Sequence, residues 1–190
     1  MDIINKSKEY KKDADKILAS TNLVDLLATF GEVTFEGSYA YDLMLCADID
    51  LHVLIDNLDR EMAKTIFQEL VDQNKFSMYQ FTNFKDEKMY NKAHKEYSGF
   101  PDGYYVGLGY WLGSEKWKID IWLTDSENEN NKYYTKLIEE KCDDRKKLTI
   151  LEIKKYRQDN KLKIGGAKIY DAVLVNNINS VNEFLKNYEI

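Results

Sequence analysis

The chain has 190 residues and a mass of 22.3 kDa, a length that fits one domain, or a core domain with a small helical appendage, and argues against two full domains. Hydrophobic residues at 44%, aromatics at 13% and an interspersed 32% of charged residues supply a real core and argue against disorder. Only Cys46 and Cys142 are present, far apart and without a Cys/His clip, which excludes a disulfide scaffold and a zinc site of the usual spacing.

No run of about 18 apolar residues exists to span a bilayer, and the opening Met1-Asp2-Ile3-Ile4-Asn5-Lys6 lacks the basic-then-apolar order of a signal peptide. The expected compartment is cytoplasmic, with no membrane partner. The net charge of −6 hides a polarity: residues 145–168 carry nine basic side chains against two acids, which leaves the first 144 residues at −11. An acidic body beside a basic segment suits one anionic ligand that brings its own metal ions. A solvated, salt-bridged helix face is the alternative.

In chain order, the first 30 residues read as helix, with Asn22 capping a segment in which Leu23, Leu26, Leu27 and Phe30 form one stripe. Gly31 ends it. Val33 to Phe35 is a short strand that stops at Gly37-Ser38. Asp48 to Ile55 is a stronger one, because Ile49, Leu51, Val53 and Ile55 alternate with Asp48, Asp50 and His52. A helix is predicted from Asp59 to Asn74, then a β segment over Phe76 to Phe84, then loop or short helix over Lys85 to Tyr97. Phe100-Pro101-Asp102-Gly103 is a turn signal. A hairpin follows, with Tyr104 to Leu112 and Trp117 to Leu123 as strands and Gly113 to Lys116 as the turn. From Asn128 onward strand signals vanish and helices are predicted, the last opened by a Ser180/Glu183 capping box. This divides the chain into a core over residues 1–127 and a helical subdomain over 128–190.

Three carboxylates carry the chemical signal. Asp48 and Asp50 point from one strand face about 7 Å apart, and Asp120 holds the matching place in Lys118-Ile119-Asp120-Ile121-Trp122. If those strands are neighbours, the three acids converge and need a cation among them. Hard divalent ions such as Mg²⁺ take such ligands and complete their shell with water and phosphate. In front lies Gly37-Ser38, where a glycine admits a phosphate close to the backbone and the serine hydroxyl can donate to it.

Gly37-Ser38, then Asp48-Ile49-Asp50-Leu51, then Asp120 resembles the pattern of the nucleotidyltransferase superfamily over roughly residues 30–125. The resemblance implies an α+β fold of the polymerase-beta-like kind, a mixed sheet flanked by helices, and Mg²⁺-dependent transfer of a nucleoside monophosphate from a nucleoside triphosphate. Small antibiotic nucleotidyltransferases are similar in size and layout. Carried over, Gly37 and Ser38 hold the triphosphate, Asp48 and Asp50 bind two Mg²⁺ ions, and Asp120 is the third carboxylate, set to activate an acceptor hydroxyl. Many relatives place a basic residue soon after the Gly-Ser, but residues 39–47 contain none.

The segment 145–168 is the expected source of the missing charge, with Arg157, Lys161 and above all Lys163 as contacts and Lys118 as a second candidate. Tyr39 and Tyr41, next to the phosphate loop, are candidate ligand contacts. His52 shares the strand face of the two aspartates, His94 has no evident partner, and the aromatics Tyr104, Tyr105, Tyr110, Trp111, Trp117 and Trp122 serve either sheet packing or base stacking. A small-molecule hydroxyl is the favoured acceptor and nucleic acid an unlikely one, because no basic stripe with interleaved aromatics is visible. The competing function is a nucleotide-binding module of the same fold whose chemistry has decayed.

Overall fold

The computed structural model describes residues 2–96 and 102–188, the side chains of residues 93–96 excepted. Two helices, α1 (Ile3–Thr21) and α2 (Leu23–Ala28), open the chain. Asn22 separates them in the left-handed region, at φ 54°, and its side chain makes no cap. A second helix thus starts at Asn22 as expected, but through a left-handed backbone that a short polar residue can adopt and not through the expected side-chain cap.

Five strands follow: β1 (Glu32–Glu36), β2 (Asp48–Leu54), β3 (Met78–Asn83), β4 (Tyr104–Leu112) and β5 (Glu115–Thr124). They form one sheet in the order β1-β2-β5-β4-β3. All neighbours are antiparallel except β2 and β5, which run parallel. The hairpin turn is tighter than expected, with β5 starting at Glu115 and only Gly113-Ser114 between the strands. Gly113, at φ +61°, supplies the left-handed step.

Alternation decides which face is which. Ile49, Leu51 and Val53 of β2 and Ile119, Ile121 and Leu123 of β5 are fully buried, and they pack with Ile17, Leu23 and Leu27 of the first two helices and with Ala63, Ile66 and Leu70 of α4 (Arg60–Asp72) in one cluster. Asp59 starts α4 by accepting a hydrogen bond from the Met62 amide at 2.8 Å. Asp48, Asp50 and Asp120 are left on the opposite face. Within residues 85–97 the structure places helix α5 (Glu87–Glu96); Tyr97 and the Phe100-Pro101 part of the predicted turn lie outside the described residues.

A second cluster is built from α6 (Glu129–Lys141), α7 (Asp144–Asp159), α8 (Gly166–Tyr170) with a π turn over Asp171–Val175, and α9 (Val181–Asn187). Leu43 and Leu45, from the segment before β2, are buried in this cluster. The segment between α3 (Gly37–Ala40) and β2 is thus clamped by the C-terminal helices. Ser180 caps α9 as expected, by accepting from the Glu183 amide, but Glu183 reaches back to the Asn179 amide and not to the cap residue itself.

Ile121 lies fully buried in the central strand, whereas Trp111 on β4 is 55% exposed. Ile121→Ala should cost about 2–5 kcal/mol in urea unfolding. Trp111→Ala should stay within about 0.5 kcal/mol of the parent. Equal losses would contradict this division of the two faces.

Candidate active site

The parallel pairing of β2 with β5 sets Asp50 directly beside Asp120 and Asp48 beside Lys118. One carboxylate oxygen from each of Asp48, Asp50 and Asp120 lies within 4.8 Å of the others. Glu36, the partner of Asp50 across β1, adds a fourth acid at the edge and accepts a hydrogen bond from Asn128 at 2.8 Å. Burial and the charges of Asp48 and Asp120 push the Asp50 carboxyl up to about 8. Burial and Asp120 raise Asp48 as well.

Asp48 Oδ1 is buried and finds no hydrogen-bond partner among the described residues. An orphaned carboxylate oxygen facing two further carboxylates fits a bound divalent cation, which supplies the missing electrostatic partner. These three side chains would hold the metal.

Gly37 enters the site through its backbone. It follows β1 at φ +61°, and a Cβ there would stand 2.5 Å from Asp50 Oδ2. Only glycine lets the chain turn against the carboxylate. Ser38 follows, and its hydroxyl accepts a hydrogen bond from Lys154 Nζ at 2.6 Å.

Lys154 is the basic residue that sequence alone does not single out. It projects from α7, is 2% exposed, and also donates to the Leu43 carbonyl at 2.8 Å and the Tyr170 hydroxyl at 3.2 Å. Burial lowers its ammonium to about 8, so at neutral pH it still carries its charge. Arg157, one turn on, donates from Nη1 to the Ile164 carbonyl at 2.9 Å and lines the same cleft.

That cleft, of about 350 Å³, runs from Gly37, Ser38, Asp48 and Asp50 to Lys154, Arg157 and Tyr170, with Asn128, Asn131 and Tyr134 of the α6 segment on its rim. A carboxylate wall thus faces a cationic wall across the glycine turn. Magnesium on one side and phosphate oxygens on the other satisfy both walls at once.

The remaining candidates separate. Tyr41 lines the cleft and donates to Asn131 Oδ1 at 2.8 Å. Tyr39 does not: it is buried, packs on Phe35, and donates to Asp15 at 2.8 Å beneath the Lys11 ammonium. The helical turn at residues 37–40 points successive side chains in different directions, so Ser38 faces the cleft and Tyr39 the core. Lys163 and Lys161 are exposed and do not line the cleft. The helical period of α7, which the charge count ignores, selects Lys154 and Arg157.

His52 is 4% exposed and held by Thr124 Oγ1 at 2.6 Å, which in turn donates to the Ser126 carbonyl. That is a structural hydrogen bond. The His94 side chain lies outside the described residues. Asp120 is gripped from the far side: Tyr105 donates to Oδ1 at 2.7 Å, and Lys118 pairs with Oδ2. The Lys118 ammonium loses some proton affinity to burial, but the hydrogen bond and the three carboxylates outweigh that and raise it.

No family model matches the chain, and no curated protein matches it either. Solved structures do. The Cid1 poly(U) polymerase with Mg and 3′-dATP bound superposes with a TM-score of 0.59 at 20% identity, over 88% of this chain and 49% of that one. A cytoplasmic RNA terminal U-transferase gives 0.55 at 20% identity over 88% and 46%. A non-canonical poly(A) polymerase complex, GLD-2 with GLD-3, gives 0.56 at 14% identity over 99% and 64%. The chain spans about half the length of the first two. Its fold is the polymerase-beta-like nucleotidyltransferase fold, as the resemblance implied.

The electrostatics generate a test in metal-free protein. Because the folded-state Asp50 carboxyl is raised to about 8 from an ordinary value near 3.8, the folded chain binds more protons than the unfolded one between those limits. Stability should therefore fall as pH rises from about 5 to 8. Asp50→Asn should flatten the decline in melting temperature, and so should Mg²⁺ in the parent. A pH dependence of melting temperature that is the same in Asp50→Asn as in the parent would contradict the crowding of these acids.

Proposed function

We propose that the protein is a Mg²⁺-dependent nucleotidyltransferase that moves a nucleoside monophosphate from a nucleoside triphosphate to a hydroxyl acceptor. The observation that carries this is the convergence of Asp48, Asp50 and Asp120 within 4.8 Å, with an orphaned oxygen on Asp48, directly against the Gly37 turn. Fold likeness to polymerases, one of them with Mg and a nucleotide bound, supports the same reading but does not name the reaction of this chain.

In this proposal residues 1–127 supply the carboxylates and the glycine turn, and residues 128–190 supply the cationic wall. Asp48 and Asp50 hold the metal pair and Asp120 contributes the third carboxylate. Bound Mg²⁺ would supply neutralisation of the charge on the transferring phosphoryl group. Gly37 admits the phosphate chain to the backbone, Ser38 and Arg157 receive its oxygens, and Lys154, whose three N–H groups are held by Ser38, Leu43 and Tyr170, supplies positive charge from beneath Ser38. Tyr41, Tyr134 and Tyr170 close the cleft on the side of the nucleoside. Asp120 takes the proton of the acceptor hydroxyl as its oxygen bonds to the α-phosphorus, and the bond from that phosphorus to the bridging oxygen breaks to release pyrophosphate. Positioning and charge account for most of the work, since phosphoryl chemistry asks little covalent participation of the protein.

The missing base in residues 39–47 favoured a decayed module. Lys154, which donates to Ser38, weakens that argument, because it brings a buried ammonium from α7 to the glycine turn.

Mg²⁺ with a nucleoside triphosphate should raise the melting temperature of the parent, by an amount equivalent to about 2.7 kcal/mol at 100 times the dissociation constant. The pair Asp48→Asn, Asp50→Asn should lose the shift, and Lys154→Met should shrink it. Asp120→Asn should keep nucleotide binding within a few-fold while transfer, read as pyrophosphate release, falls by roughly 10² or more. A full shift in the double Asp variant would overturn the metal assignment, and undiminished transfer by Asp120→Asn would overturn the role given to Asp120.

A further inference from the structure

Asp120 differs from Asp48 in that both of its oxygens are taken. Tyr105 donates to Oδ1 at 2.7 Å and Lys118 pairs with Oδ2, whereas Asp48 Oδ1 has no partner among the described residues. The two donors are seated differently. The half-buried Tyr105 ring packs on Trp122, with centroids 5.3 Å apart, and on Phe84 at 6.4 Å. Gly107 makes room for it, since a Cβ there would stand 2.7 Å from the phenol oxygen. The Lys118 side chain is 54% exposed, and its ammonium has no hydrogen-bond partner besides Asp120 among the described residues.

Strand register puts this lysine against all three acids. Lys118 stands beside Asp48 across the parallel β2–β5 pairing and reaches along β5 to Asp120, two residues on. The charges of Asp48 and Asp50 act on its ammonium as well as that of Asp120. It does not line the nucleotide cleft. Its position therefore answers to the carboxylates and not to the phosphate side.

An ammonium and a divalent cation seek the same negative charge, and they repel if they share one carboxylate oxygen. The divalent ion carries twice the charge and takes carboxylate oxygens as direct ligands. A half-exposed ion pair is weak, so Lys118 gives up its place at little cost. Its flexible stem leaves it free to move into water. The phenol of Tyr105 is neutral and is not repelled. It can keep its hydrogen bond and hold the carboxylate in one orientation, as groups behind a metal ligand do.

We propose that Lys118 is the built-in counter-cation of the metal-free site and releases Asp120 Oδ2 when a divalent cation binds, while Tyr105 stays on Oδ1 as a positioning residue. The proposal rests on the metal-dependent reading above and assigns what two of the chain's own residues do as the metal enters. In the empty site one positive charge offsets part of the crowding of three acids. Metal entry then frees an oxygen of the one carboxylate assigned to the acceptor's proton.

The test is a titration of the full chain with Mn²⁺ alone, the free ion being read by electron paramagnetic resonance. Lys118→Met should raise Mn²⁺ affinity by about fivefold, the upper end for a half-exposed ion pair. Lys118→Arg should lower it, because a guanidinium fork grips a carboxylate more firmly than an ammonium. Tyr105→Phe, which removes the other donor to the same carboxylate, should weaken binding by about tenfold. Lys116→Met removes the same charge one strand repeat away, where it makes no ion pair among the described residues, and should change affinity by less than about twofold. By linkage, the stability that Lys118→Met loses in metal-free urea unfolding should vanish at saturating Mn²⁺. Binding by Lys118→Met no tighter than the parent's, tighter binding by Tyr105→Phe, or a stability loss that persists with Mn²⁺ would each overturn the proposal. If Asp48→Asn, Asp50→Asn abolishes Mn²⁺ binding while the Lys118 variants match the parent, the metal site stands and only the exchange fails. A parent that binds no Mn²⁺ overturns both.

Discussion

Three carboxylates packed into one half-buried patch are the constraint on which the rest of the molecule depends. Left to themselves Asp48, Asp50 and Asp120 repel, and burial penalises the charges of Asp48 and Asp50 further. Nothing in the hydrophobic core requires them there: the buried faces of β2 and β5 would pack equally well with neutral residues at the three positions. The arrangement costs stability in the metal-free protein, and such a cost concentrates at sites that bind or react. Parallel pairing makes the crowding possible, because it sets Asp50 beside Asp120 in register.

The positive counterpart comes from a distant part of the chain. Lys154 reaches Ser38 across 116 positions of sequence and also ties down the Leu43 carbonyl. Leu43 and Leu45 are buried in the C-terminal helical cluster, so packing and the buried ammonium fix the same segment. The glycine turn is thereby held between an acidic sheet and a basic helix. A cleft with opposite walls suits the proposed pair of metal and phosphate, opposite charges that arrive together, better than either wall alone would.

Much of this was legible in the sequence because strands alternate. The period of two in Asp48 to Ile55 and in Trp117 to Leu123 was enough to place three acids on one face, and the Gly-Ser at the end of β1 marked the turn. Side-chain direction around non-strand segments was not legible. Tyr39 belongs to the loop after Gly37-Ser38, but one helical turn carries it into the core, and Lys163 belongs to the basic segment but lies beyond the end of α7. Lys154 was hidden among nine basic residues, since its selection depends on which face of α7 meets Ser38. Asn22 shows the local version of the same limit: it stands where the Leu23–Phe30 stripe begins, as the sequence suggests, but it separates the helices through a left-handed backbone and not through a side-chain cap. On the sheet, the average charge of the body masked the lysines beside Asp120, which strand alternation sorts onto one face.

The most direct measurement of the central claim is anomalous diffraction from crystals grown with Mn²⁺ and a non-hydrolysable nucleoside triphosphate. The account predicts manganese among Asp48, Asp50 and Asp120, with the phosphate chain over Gly37 and its oxygens within hydrogen-bond reach of Ser38 Oγ, on the side of the cleft that Lys154 and Arg157 charge. Manganese absent from the three aspartates, or phosphates bound away from Lys154, would contradict it.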